Sequence, residues 1–218
     1  MRATRLPFSQ LELVIANMNL SSWSLRPWLA LRATGHPFRE RKILLDRPDS
    51  QEKLRKVSPT GKVPVLIADD IVIWESLAIC EALAEWFPEA RLWPEDPGAR
   101  AVARSAAYEM HGGFPDLRRE MPVNLRARIE RTPSAAVRAD IERIVALWGD
   151  CRARFGAGGP YLFGEFSIVD CMYAPVVTRF RTYGVELDGG AQAYCEAMLA
   201  RPDMRAWYAG AALETDAD

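Results

Sequence analysis

Histidine is scarce in this chain: His36 and His111 are the only two. Zinc sites are built largely from histidine and cysteine, so a multi-histidine zinc centre is nearly excluded and no metal is expected. Cysteine is no richer. Cys80, Cys151, Cys171 and Cys195 lie far apart, form no Cys-x-x-Cys pair, and read as buried thiols rather than a disulfide framework. Long apolar runs are missing too: no stretch approaches 18 apolar residues, so no membrane span is expected. The first ten residues carry two arginines and no apolar core, unlike a secretory leader. Nor is there a surplus of either charge. Lys+Arg 28 against Asp+Glu 29 gives a net charge of −1, where nucleic-acid binders usually carry a basic excess.

What is present is ordinary globular material, 49% hydrophobic and 26% charged over 218 residues. That length fits one large domain or two compact ones. The first part mixes strand and helix periods. Residues 11–16 (LELVIA) alternate as a strand. Residues 25–34 carry a helical stripe that Gly35 closes, and Pro37 prevents its resumption. A second strand is expected at 38–45. A strand, a helix and a strand in this order form a βαβ unit with parallel strands. Residues 63–68 and 71–74, separated by Asp69-Asp70, read as an antiparallel hairpin. A helix from Ser76 to Phe87 follows, with Ser76 as its N-cap. The order β-α-β, a connection, then β-β-α defines a four-stranded mixed sheet of thioredoxin type: an α/β domain at 10–87.

Pro88 ends that helix, and the turn-formers of Leu92–Gly98 mark 88–98 as a linker. Everything from 99 to 218 reads as all-helical. A long helix over 99–121 is broken at Gly112-Gly113-Phe114-Pro115. Thr132-Pro133 is taken as an N-cap followed by proline at the first helical position. The helix it opens carries Val137, Ile141, Ile144, Val145, Trp148, Cys151 and Phe155 on one stripe. Ser167-x-x-Asp170 starts another helix as a capping box, and Arg201-Pro202 separates two more.

Chemistry is expected in the first half. Asn19-Leu-Ser21-Ser22-Trp23-Ser24 lies at the carboxyl end of the first strand, where βαβ units bind ligands. Pro27 is harmless only in a first turn, which puts the N-cap at Ser22, Trp23 or Ser24. The segment has no cysteine, so it supplies no sulfur nucleophile. A serine hydroxyl at a helix N-terminus can instead donate to an incoming thiolate. Such a hydrogen bond contributes about 1.5–3 kcal/mol, enough to bring a thiol from about 8.5–9 toward 7. The nucleophile is brought in by the ligand. The segment Gly61-Lys62-Val63-Pro64-Val65-Leu66 offers a second device. With a cis bond before Pro64, the Val63 N–H and C=O would be free to pair with an extended peptide; an ordinary trans proline at a strand edge is the alternative. Third, Ser76 and the helix N–H groups could bind a carboxylate while Glu75 pairs with an ammonium, as an α-amino acid terminus requires. Residues 41–62 hold seven Lys/Arg against Asp46, Asp49 and Glu52, which would favour an anionic ligand.

In order and spacing, the Ser-Ser-x-Ser segment, the Gly-Lys-Val-Pro-Val-Leu strand, the Glu-Ser pair and the helical second half resemble the cytosolic glutathione transferase family. Ser21-Ser22-Trp23-Ser24 is similar to the Ser-Ser-Cys-Ser of its zeta class, which includes maleylacetoacetate isomerases, with Trp23 in place of the cysteine. The resemblance covers roughly residues 10–215. It implies a cytoplasmic homodimer, with a role in detoxification, that uses glutathione as co-substrate and a small electrophile as its partner, with no nucleic acid or membrane. It implies that Ser21, or the adjacent Ser22, activates the thiolate. Val63 beside Pro64 would pair with the cysteinyl unit, Glu75 and Ser76 would hold the γ-glutamyl group, and Lys62 would lie near the glycyl carboxylate. Tyr108 and His111, with Met110 and Phe114, are candidates for the electrophile pocket, although helical aromatic and methionine stripes are more often core. A glutathione-dependent isomerase and a non-catalytic glutathione-binding protein are the alternatives.

Overall fold

The computed structural model describes residues 8–45 and 47–214. Residues 1–7 of the segment read for a leader, the acid Asp46, and 215–218 of the expected helical domain lie outside the described residues.

Strand β1 (Leu11–Ile15) is buried because it is central: it pairs in parallel with β2 (Arg39–Lys42) and antiparallel with β3 (Val65–Ala68). Strand β4 (Ile71–Trp74) closes the order β2-β1-β3-β4 as the antiparallel partner of β3. The mixed sheet is thus the one expected, with shorter strands. β1 stops at Ile15 because the next amide, Ala16 N–H, donates to Ser24 Oγ at 3.1 Å. β2 covers only part of 38–45. Its ladder ends with Ile43 N–H on the Ile15 carbonyl, and Leu45 N–H turns aside to Asn17 Oδ1. β3 begins at Val65 rather than 63, since Pro64 has no N–H to contribute. In the hairpin turn Asp69 takes a left-handed φ of 52°, and its carboxylate accepts from Ser9 N and Gln10 N.

Helix α1 (Ser22–Thr34) ends where expected, on Gly35 at φ 70°, the left-handed conformation glycine adopts without cost. Its start differs. The N-cap is Ser21, not Ser22, Trp23 or Ser24, because Ser21 Oγ accepts the Ser24 N–H. Pro27 therefore lies inside the helix, beyond its first turn. A short helix α2 (Ser50–Arg55) fills the connection that carried no periodic stripe. Of its apolar side chains only Leu54 is buried, and Asp49–Lys53 and Glu52–Lys56 brace its surface. Helix α3 (Ser76–Trp86) corrects another expectation: its N-cap is Glu75, at φ 70°, and Ser76 is its first helical residue.

A 3-10 turn (Pro88–Ala90) leads to α4 (Pro97–Gly112), capped by Asp96, and the expected break separates it from α5 (Pro115–Glu120). Gly113 makes that break possible, since a Cβ there would stand 2.6 Å from the Glu109 carbonyl oxygen. Helix α6 (Ala135–Phe155) is capped by Ser134, whose Oγ accepts Val137 N–H; Thr132 lies too far upstream to reach it. Helix α7 (Ile168–Tyr183) opens with the expected Ser167/Asp170 capping box and runs through the centre of the helical half. Helices α8 (Gly189–Ala200) and α9 (Pro202–Ala212) follow, separated at Arg201. Trp148 of α6 packs among Tyr173, Phe180 and Tyr194. One core runs through both halves, with α1 against α3 on one side and α7 on the other. All four cysteines are free and buried.

Candidate glutathione site

The loop between β1 and α1 is held from several directions. Asn17 C=O accepts Ser21 N–H at 2.9 Å, and Asn19 C=O accepts Leu125 N–H. Met18 N–H and Asn19 N–H both donate to the Glu214 carboxylate, at 2.7 and 3.0 Å, and Lys42 pairs with the same group at 2.8 Å. Trp207 Nε1 donates to the Met18 carbonyl at 2.9 Å. The C-terminal segment thus straps the serine loop to the body of the protein.

Within the loop the hydroxyls form a short chain. Ser21 Oγ donates to Ser24 Oγ at 2.8 Å, and Ser24 Oγ accepts Ala16 N–H as well. Ser21 and Ser22 are 8% and 7% exposed, so both lie at the protein surface only in part. Ser22 Oγ has no hydrogen-bond partner among the described residues, whereas Ser21 is already engaged.

A cavity of about 160 Å³ opens beside this loop, lined by Trp23, Thr60, Lys62, Val63, Pro64 and Glu75. Four of the residues expected from the sequence are therefore brought together: Lys62, Val63, Pro64 and Glu75. The Val63–Pro64 bond is cis. Ser58 Oγ grips Lys62 by both its N–H and its carbonyl, at 3.0 and 2.7 Å, which fixes the main chain leading into Val63. The N–H and C=O of Val63 have no partner among the described residues. Glu75 is placed by its left-handed backbone at the entry to α3, and its side chain is 56% exposed. Ser76 Oγ is buried and unpartnered, and does not line the cavity.

The two pocket candidates on α4 part company. His111 stands against Trp23, ring centroids 5.3 Å apart, with Nε2 4.0 Å from Glu75 Oε2. Burial pushes its pKa down, Arg26 and Arg118 add to that, and Glu75 opposes it, so the imidazole is neutral at pH 7. Tyr108 is 59% exposed on the outer side of α4 and does not line the cavity. Met110 and Phe114 are core. Sequence reasoning passed over Thr60 and Arg26 and took Ser24 only as a capping candidate; Arg26 and Ser24 are wholly buried. Ser24 had a signal in its spacing of three from Ser21; nothing local announced the other two.

The basic stretch is mostly neutralised. Arg41 pairs with Glu12, Lys42 with Glu214, Lys53 with Asp49 and Lys56 with Glu52. A wider groove of about 900 Å³ lies between the 128–133 segment, α6 and the end of α7, and holds none of the residues expected for glutathione. Among the described residues no group of three or more His, Cys, Asp or Glu could hold a metal ion, and no helix is long and apolar enough to cross a membrane.

A thioredoxin-like domain with a four-stranded mixed sheet, joined to a helical domain, is the architecture of glutathione transferases. The family models for the glutathione S-transferase N-terminal and C-terminal domains match residues 20–86 and 124–210, more than half the chain between them, and the chain belongs to that family. A probable maleylacetoacetate isomerase of Caenorhabditis elegans is 36% identical over 96 residues, 44% of each chain. The chain thus spans less than half the length of that relative. A stringent starvation protein A homolog of Pasteurella multocida is 30% identical over 153 residues, covering 69% of this chain and 67% of its own. The fold matches a glutathione transferase homolog from Burkholderia gl BGR1 with bound glutathione, at TM-score 0.71 and 22% identity over 94% of this chain and 98% of that one.

Proposed function

We propose that the protein is a glutathione transferase in which a serine hydroxyl stabilises the glutathione thiolate for attack on a small electrophile. The observation that carries this reading is Val63, whose N–H and C=O stand unpaired on the wall of the cavity. An extended tripeptide supplies one acceptor and one donor for that pair. Glu75 would take the γ-glutamyl ammonium. The helix N–H groups at Ser76 would take the adjacent carboxylate. Lys62, on the same wall, would meet the glycyl carboxylate.

Sulfur activation rests on the serine chain. Ser21 and Ser24 are 2.8 Å apart, and either hydroxyl can donate across that distance. Reversing the bond, with Ser24 donating to Ser21, frees the Ser21 O–H for the thiolate while Ser24 keeps the Ala16 amide as its donor. Ser22, with its free hydroxyl, is the adjacent candidate. The sulfur then bonds to the electrophilic carbon, and a leaving group departs with its electron pair or the new carbanion takes a proton. We further propose the boundaries 10–87 and 99–218 for the two domains, a homodimer, a cytoplasmic setting, and detoxification as the role.

Titrating the thiol absorbance of bound glutathione tests the mechanism. The wild type is expected to ionise near 7, and Ser21→Ala to raise the apparent value by about one to two pH units. A bound thiol that titrates near 9 in the wild type would overturn it.

A second reading is favoured by the identity to a probable maleylacetoacetate isomerase. The thiolate would add to a conjugated double bond, the resulting single bond would rotate, and the carbon–sulfur bond would break to return the thiolate. Turnover of maleylacetone with glutathione fully recovered would favour this reading. Trp23, where the zeta-class motif has cysteine, argues for a different electrophile.

A further inference from the structure

Helix α1 turns Arg26 inward, where it is 0% exposed. Its Nε, Nη1 and Nη2 all lack a hydrogen-bond partner. A guanidinium stays charged at any physiological pH, and a buried charge without a partner costs several kcal/mol. The groups that face it offer no relief. Arg118 of α5 and Arg179 of α7 are cations; Cys80 of α3 and Tyr173 of α7 are weak acids. Burial pushes the Cys80 thiol up to about 12 and raises the Tyr173 phenol, so both stay neutral. No carboxylate is among them. The neighbouring arginines have their own acceptors: Arg118 donates to the carbonyls of Met110, His111 and Gly113, and Arg179 to those of Met121 and Pro175. Arg26 has only the face of Trp23, 4.2 Å from its Cζ.

That indole has two sides. Trp23 is part of the wall of the 160 Å³ cavity, and its ring also lies 5.0 Å from Arg118 Cζ. It therefore borders both the proposed glutathione cavity and the two cations, Arg26 fully buried and Arg118 half-buried. We propose that Arg26 is the seat for a carboxylate carried by the electrophile, reached when the Trp23 indole swings aside, with Arg118 as the second cation facing it. The planar guanidinium fork matches two coplanar oxygens, and its donors are unspent. A thiolate offers a single acceptor atom and already has the serine hydroxyls. The substrate class is then a small carboxylated electrophile. This rests on the glutathione reading only for the identity of the co-substrate next door.

Two unreactive probes that differ by one methyl group and the charge test it: 3,5-dinitrobenzoate and its methyl ester. Their affinities are measured by calorimetry for the wild type, Arg26→Met and Arg26→Lys, with and without S-methylglutathione. The acid is expected to bind the wild type at least about tenfold more tightly than the ester, the range of one charge-assisted hydrogen bond. Arg26→Met is expected to bring the two to parity, and Arg26→Lys to restore part of the preference. Parity in the wild type, or an undiminished preference in either variant, would sink the proposal. So would competition between the acid and S-methylglutathione, since the tripeptide itself would then be the anion on Arg26. Should Arg26→Met fail to fold, the wild-type pair and Arg26→Lys decide. An acid preference in a protein that ignores S-methylglutathione leaves this seat standing and removes the glutathione reading alone.

Discussion

At the scale of single residues, two carboxyl-bearing or charged groups sit in the interior under opposite terms. Asp170 is fully buried, yet its oxygens accept Leu162 N–H, Ser167 N–H and the Ser167 hydroxyl. Burial dominates and raises its pKa to about 6, with those hydrogen bonds pulling the other way. A carboxyl whose folded value lies above its unfolded one binds more protons in the native state between the two. Its contribution to stability therefore falls as pH rises from about 4 to about 6. Asp170→Asn removes both that titration and an acceptor for the Ser167 amide. The variant is expected to be less stable, and the gap from the wild type to widen as pH drops from 7 to 5. Urea midpoints at the two pH values check the sign. Arg26 contrasts with it, having charge and no acceptors. Arg26→Met is expected to melt no lower than the wild type, because replacing an unpaired buried ion with an apolar chain is often neutral or stabilising. Calorimetric melting settles that point.

Among the elements, the segment after α9 does more than close the chain. Glu214 accepts two amides of the β1–α1 loop and pairs with Lys42 of β2. Glu214→Ala leaves those amides without a protein acceptor and is expected to cost about 2 kcal/mol, on the scale of hydrogen bonds to a charged group. Unfolding in urea with an unchanged m-value measures the loss. The same variant is expected to raise the KM for glutathione, since the loop that carries Ser21 is no longer fixed. The strap also shows where sequence reading stops. Strand order, the Gly35 and Gly112–Pro115 breaks, and the Ser167/Asp170 box were legible because each is encoded within a few residues. The caps of α1, α3 and α6 each fell one or more positions from expectation: for α1 and α6 the choice depends on which hydroxyl reaches the third amide, and for α3 on the left-handed backbone at Glu75. The burial of Arg26 among α3, α5 and α7, and the strap itself, depend on residues distant along the chain, and no local pattern carries them. In the site, the cavity wall at 62–64 and 75 was legible from motif spacing; Thr60 and the Ser21–Ser24 exchange needed coordinates.

Across the whole molecule, α1 belongs to both halves. Its Trp28 packs against Trp207 of α9, ring centroids 5.1 Å apart, and Trp207 reaches back to the Met18 carbonyl. Tyr173 of α7 donates to the Ala106 carbonyl of α4, and Arg179 to that of Met121, so α7 fastens the helical layers from within. With the apolar core continuous across the halves, heat denaturation is expected to give a single calorimetric transition followed equally by near- and far-ultraviolet dichroism. Trp207→Ala is expected to lower that transition as a whole, by about 3–5 kcal/mol, rather than split it in two.

The bracket at Glu214 has an implication for biogenesis. A ribosome delivers the Ser21 turn about 190 residues before it delivers the carboxylate that fastens it, so the emerging amino-terminal half waits with that turn held only by its own local hydrogen bonds. Competence to hold the tripeptide is thus expected to arrive late and abruptly, on release of α9 and the residues just beyond it.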